Sequence, residues 1–143
     1  MKKLLALLLF IPLVFACSDD PDIEDPIEIG DIHEGGIVYS LYSQAQGGGM
    51  VVTAQDIGHG NWAEANQLAE NNMTGGYDDW YLPSTAQLQE IYNSIGQGGG
   101  NIGGFDLTQY WGSNHYTFNF ATGQSFGLND VLNARVRAVR QFD

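Results

Sequence analysis

Cysteine is almost missing from this 143-residue chain, in which Cys17 is the only one. No disulfide can close within a single copy, so the fold must be held by its core. Cysteine-based metal sites and paired-thiol redox chemistry are excluded for the same reason. Cations are the second shortage, with 5 Lys and Arg against 17 Asp and Glu. A surface that negative repels nucleic acid, heparin-like chains and anionic head groups before contact, so none is expected as a partner. Catalytic spacings are missing too. His33, His59 and His115 form no HxxxH or HxH pattern, and no GxSxG elbow occurs. The glycine-rich run from Gln97 to Gly104 lacks the Lys and the Ser or Thr of a phosphate loop, and reads as a surface loop. These gaps point away from an enzyme and from any cofactor or metal.

What is present begins with Lys2 and Lys3, followed by an apolar run from Leu4 to Phe15. That run is too short to span a bilayer and suits a signal peptide over residues 1–16. The residues Val14-Phe15-Ala16-Cys17 resemble a bacterial lipobox, which implies acylation of Cys17 and anchoring to a membrane through lipid. An ordinary cleaved signal with an incidental cysteine is the alternative. Residues 17–29 then form an acidic tether: SDDPDIEDPIEI has six acids, two prolines and no aromatic residue, too little to bury. The acids straight after the cysteine resemble the export signal of lipoproteins displayed on the outer membrane.

Residues 30–143 read as one domain. Gly36–Tyr42 and Met50–Ala54 have strand content on either side of a flexible turn and predict a hairpin. Asn61 with Glu64 forms a capping box, and Trp62, Ala65, Leu68 or Ala69, and Met73 share one helical face. Gly75 and Gly76 suit positive φ, and Trp80 to Leu82 is extended up to Pro83. Ser84 and Gln87 cap a second helix, with Leu88, Ile91, Tyr92 and Ile95 on its apolar face. Phe118 to Phe120 and Ser125 to Gly127 predict another hairpin. In a closing strand from Arg135 to Phe142, alternation puts Arg135 and Arg137 on one face and Arg140 on the other.

The stretch GGYDDWYLPS at residues 75–84, the LxxIY helix after it, Tyr110-Trp111-Gly112-Ser113 and the ending RVRAVRQF resemble the Lcl-like C-terminal domain family, a domain of unknown function. The family's YWSS element has Gly112 in place of a serine here. The resemblance implies an α+β, C-type lectin-like fold: two helices packed on a small twisted antiparallel sheet with long loops, the last strand paired with the first. It makes Asp79, Trp80, Pro83, Arg135, Arg137 and Arg140 structural motif residues. In a chain this acidic, each arginine is expected to find a carboxylate. The EPN or QPD and WND triplets of calcium-dependent lectins are missing, so calcium has no supporting motif, although Asn129, Asp130 and Asn133 carry suitable oxygens. Formylglycine-generating relatives of the fold use cysteine or copper chemistry, and Cys17 lies outside the domain.

A binding surface is what remains. Asn114 to Thr117 and Asn129 to Ala134 are polar, adaptable segments where lectin-like folds present ligand sites. Trp111, Asn114, His115, Tyr116, Thr117, Asn119, Asn129, Asp130 and Asn133 are the candidate contacts; two ordinary polar loops are the other reading. Some members of this fold class are rewritten at adenines by diversity-generating retroelements, and both segments use only residues reachable from asparagine codons. The resulting expectation is a non-catalytic surface lipoprotein that recognises a glycan or a partner protein, with loop diversification as a further expectation. The alternative is a structural subunit of a surface appendage or envelope complex. A hydrolase would have to rest on Asp78, Asp79 and Glu34 alone.

Overall fold

A computed structural model describes residues 24–127 and 133–143, so the leader, Cys17, Asn129 and Asp130 lie outside the described residues. The fold is mixed α+β, with two helices and two sheets. The first sheet contains β1 (Ile32–His33), β2 (Gly36–Leu41), β3 (Gly49–Thr53) and β9 (Val139–Phe142), antiparallel in the order β1-β2-β3-β9. The second contains β4 (Gly58–Gly60), β5 (Gln109–Trp111), β6 (Tyr116–Asn119), β7 (Gln124–Gly127) and β8 (Ala134–Val136), in the order β4-β8-β5-β6-β7. Its β5 and β8 run parallel, with Tyr110 opposite Arg135.

Both helices start where the capping chemistry places them. In α1 (Trp62–Glu70) the Asn61 side chain accepts from the Glu64 N–H, and the Glu64 carboxylate accepts from the Asn61 N–H. Ser84 and Gln87 do the same for α2 (Thr85–Ser94). Each such cap is worth about 1 kcal/mol. Met73, grouped above with the α1 face, lies beyond the helix and is exposed. Gly75 and Gly76 have φ of 71° and 83°, in the region that favours glycine. Among the described residues no helix is long and apolar enough to cross a membrane.

The central strands β2 and β3 are buried on both faces over most of their length, so they read as nearly continuous apolar runs. Ile37, Tyr39, Met50, Val52 and Val139 pack against Leu88 and Ile91 of α2 and against Ile95, its C-cap. Val38, Val51 and Phe142 face the other way, toward Ala65 and Ala69 of α1, with Trp80, Leu82 and Trp111. Phe105, Tyr110, Phe118 and Phe120 complete the α2 side, with ring centroids 4.3 to 5.4 Å apart.

Three expectations are corrected. There are two sheets rather than one. The closing segment is two strands, because the chain leaves the second sheet after Val136 and joins the first at Val139. Thr53 bridges the gap: its N–H donates to Ala138 O at 2.9 Å, and its hydroxyl accepts from the Ala138 N–H at 3.3 Å. Finally, β9 pairs with β3 and not with the first strand. The segment Trp80 to Leu82 makes only one bridge, Tyr81 with Val139, because Pro83 and the Ser84 cap follow at once.

Candidate functional site

The three arginines are committed within the fold. Asp56 accepts from Arg135 Nη1 at 2.8 Å, from Arg137 Nε at 2.9 Å and from the Tyr110 hydroxyl at 2.9 Å. Asp106 adds a second carboxylate to Arg135 at 2.7 Å. Arg137 also donates to the carbonyls of Gly103 and Gly104, and its guanidinium lies 3.9 Å from the Phe105 ring centroid. The glycine-rich loop is therefore tied to the core by its backbone. On the other side of the chain crossing, Arg140 donates to Asp79 Oδ1 at 2.6 Å and to Glu34, and lies 3.8 Å from the Tyr77 ring centroid. The hydrogen bond from Arg140 holds the Asp79 carboxyl below its usual range. Trp80 is buried, and its indole N–H donates to Thr74 O.

The β5–β6 turn, residues 112–115, is pinned by three neighbours. Trp62 Nε1 donates to Gly112 O at 3.0 Å, Ser113 N donates to Pro83 O at 2.7 Å, and Asn114 Nδ2 donates to Thr85 Oγ1 at 3.3 Å. The His115 ring stacks on Trp62 with centroids 4.6 Å apart and planes at 18°, while its backbone has φ of 62°. Gly112 N donates to Tyr116 O and closes the turn. The result is a loop of fixed shape at the start of α1.

Not all candidate residues reach this surface. Trp111 and Thr117 are both fully enclosed and are withdrawn as contacts. Trp111 faces Ala65 and Ala69, with its indole N–H on Gly60 O at 2.7 Å, and the Thr117 hydroxyl donates to Gln109 Oε1 at 2.7 Å. Asn114 and Tyr116 are exposed, whereas His115 and Asn119 are half-buried. The Asn119 side chain accepts from the Ala121 N–H, which bends it toward the β6–β7 turn.

Strand direction separates Asn133 from that turn. Because β8 runs parallel to β5, Asn133 just before β8 belongs with Thr108 just before β5, whereas residues 112–115 follow β5. Asn133 Oδ1 lies 2.8 Å from His59 Nδ1, beside a cleft lined by Asp106, Leu107, Thr108 and Arg135. Asn133 and the 112–115 turn thus lie at opposite ends of the five-stranded sheet, whereas Gly127, opposite Tyr116, lies at the turn end.

Two contributors carry no sequence signal of their own. Trp62 reads as one more core residue of α1, and Phe126 as one apolar position in a hairpin. The ladder puts Phe126 opposite Thr117, and Thr117 opposite Trp111, so these three share the α1 face of the sheet. Phe126 is exposed there. Tyr116 projects from the other face, against Gly127, where an added Cβ would meet its ring at 2.8 Å. Tyr116 and Phe126 therefore cannot stack on the same ligand ring. Among the described residues no group of three His, Cys, Asp or Glu converges on a metal-sized point. No protein-family model matches the chain, and no curated protein matches it.

Proposed function

We propose that this chain is a non-catalytic surface lipoprotein whose C-type lectin-like domain recognises an extracellular ligand, a neutral glycan or a partner protein. The observation that carries the reading is the pinned β5–β6 turn beside exposed Phe126. A loop whose shape is set before binding loses little freedom when it binds, and a flat aromatic with neighbouring amides suits sugar rings and protein surfaces alike. Asn119 and Gln124 pair opposite one another on the Phe126 face and supply those amides. Acyl groups on Cys17 would hold the domain at the outer membrane, and the acidic surface directs the choice toward uncharged or cationic ligands.

A glycan array probed with and without calcium tests this, using the wild-type chain and the variants Phe126→Ala and His115→Ala. The expected result is binding to a small set of neutral glycans, weakened in both variants while circular dichroism is unchanged. Equal binding by all three chains removes the turn surface from the reading. Loop diversification has its own test in the DNA downstream of the coding region, where a near-repeat differing only at adenines is expected.

A second reading, as an assembly subunit, is favoured by β7. All four of its residues are exposed, and among the described residues it forms one edge of its sheet, with neither a charge nor a proline of its own. Sedimentation that depends on concentration would select this reading.

A further inference from the structure

A groove of about 570 Å³ runs between β2 and α2, and none of the residues proposed for the turn surface lines it. This falls within the roughly 300–1,000 Å³ of small-ligand sites. Its apolar wall is Ile29, Leu41 and Ala86, and its polar wall is Gln89, Glu90 and Asn93. Tyr39 lines it at the strand side and sits at a β-bulge, since the register shifts between Val38 and Ser40. Bulges re-aim side chains and recur beside functional sites. The consequence here is unusual: Tyr39 is 1% exposed, and its hydroxyl has no hydrogen-bond partner among the described residues. A buried phenol normally finds one.

The surrounding groups limit what could satisfy it. Gln89 Nε2 donates to Asn93 Oδ1 at 3.2 Å, which leaves the Gln89 carbonyl as an acceptor and the Asn93 amide as a donor. Glu90 adds an acceptor, and the protonated Tyr39 hydroxyl can both donate and accept. Among the described residues no cation lines the groove, and all three arginines are held elsewhere. Phosphates, sulfates and carboxylates are therefore disfavoured. Hydroxyl groups, each donor and acceptor at once, fit this mixed lining, and the carbon face of a sugar ring fits the wall of Ile29, Leu41 and Ala86.

We propose that the β2–α2 groove is a second ligand site, taking a neutral sugar residue whose hydroxyl bonds Tyr39 while Gln89, Glu90 and Asn93 hold its rim. The site goes beyond the turn surface and does not depend on it. Bound sugar would enter between the Gln89–Asn93 pair and the strand, exchanging that side-chain bond for bonds to its own hydroxyls.

The test uses the full chain in a detergent without a sugar head group, with galactose, glucose, mannose and N-acetylglucosamine as probes in saturation-transfer NMR and titration calorimetry. At least one probe is expected to bind. Tyr39→Phe, which removes only the hydroxyl, and Asn93→Ala, at an exposed position, are each expected to weaken that binding about tenfold or more with unchanged circular dichroism. The proposal is overturned if no probe binds, or if both variants stay within about twofold of wild type. Loss in Phe126→Ala with retention in Tyr39→Phe overturns it as well, by assigning the sugar to the turn surface.

Discussion

Arg137 Nε donates to Asp56 Oδ1 at 2.9 Å, joining residues 81 positions apart in the chain. The Arg137 side chain is 3% exposed, so its charge has no solvent to fall back on if the carboxylate is removed. Asp56→Ala is expected to cost about 3–5 kcal/mol, the range for orphaning one partner of a buried pair. Asp106→Ala, at a side chain 58% exposed, should cost well under about 1 kcal/mol. Urea unfolding of both variants decides it, and similar costs would show that Asp56 is not the hub.

Acid should weaken the fold through Asp79, whose carboxyl is held below its ordinary value of 3.8 by the hydrogen bond from Arg140. A depressed folded value adds stability that is complete above the unfolded value and is lost as pH falls through the folded one. Stability should therefore hold down to about pH 4 and decline below it. Asp79→Asn should flatten part of that decline, modestly, because the side chain is 54% exposed. Superimposable acid profiles would refute the contribution.

Alkali should act through Tyr39 and Tyr110. Burial pushes both hydroxyls above their ordinary value of 10.0, with nearby Tyr81 and Asp56, respectively, adding to the effect. A raised folded value gives stability that is complete below the unfolded value and is lost as pH rises beyond it. Phenolate absorbance and circular dichroism followed together should show these two tyrosines ionising only as the fold opens. Tyr39→Phe should stabilise the unliganded chain by about 1 kcal/mol, because it removes a buried hydroxyl that lacks a partner.

Gly75→Ala should cost about 2 kcal/mol or more. Its φ is 71°, and a Cβ there would sit 2.9 Å from Gly35 Cα, where two backbones cross. Gly47→Ala is the control, with a φ of 68° and nothing within 4 Å of the added carbon. The difference between their denaturation midpoints measures the crossing itself, and equal midpoints would mean that the loops move apart freely.

Cys17→Ser should abolish incorporation of labelled palmitate and move the chain from membrane to soluble fractions. Retention of label would place the acyl group elsewhere.

Local chemistry was readable without coordinates. The Asn61–Glu64 and Ser84–Gln87 boxes form as their spacing implies, and Gly75 and Gly76 take positive φ, although they do not stop the first helix, which already ends at Glu70 with Asn71 as its C-cap. Carboxylate partners for the arginines were foreseeable from charge balance alone. Which carboxylates they are was not, because Asp56 meets Arg135 and Arg137 only after the chain folds back across some 80 positions. The broken closing strand was hidden for a related reason. Alternation assumes one sheet, whereas Arg137 and Ala138 span two. The separation of Asn133 from the 112–115 turn follows from the parallel β5–β8 pair, a long-range fact that the polarity of the loops does not encode.

The double membership of the closing segment bears on how the molecule is made. Residues 134–136 sit between β4 and β5, and residues 139–142 complete the other sheet against β3. A chain still missing its last ten residues therefore lacks the seam of both layers and all three arginines. Such a nascent chain lacks the ion pairs on Asp56 and Asp79 and keeps only helix and aromatic-ring contacts between its halves. The domain is thus expected to close fully only after residues 134–142 have been made.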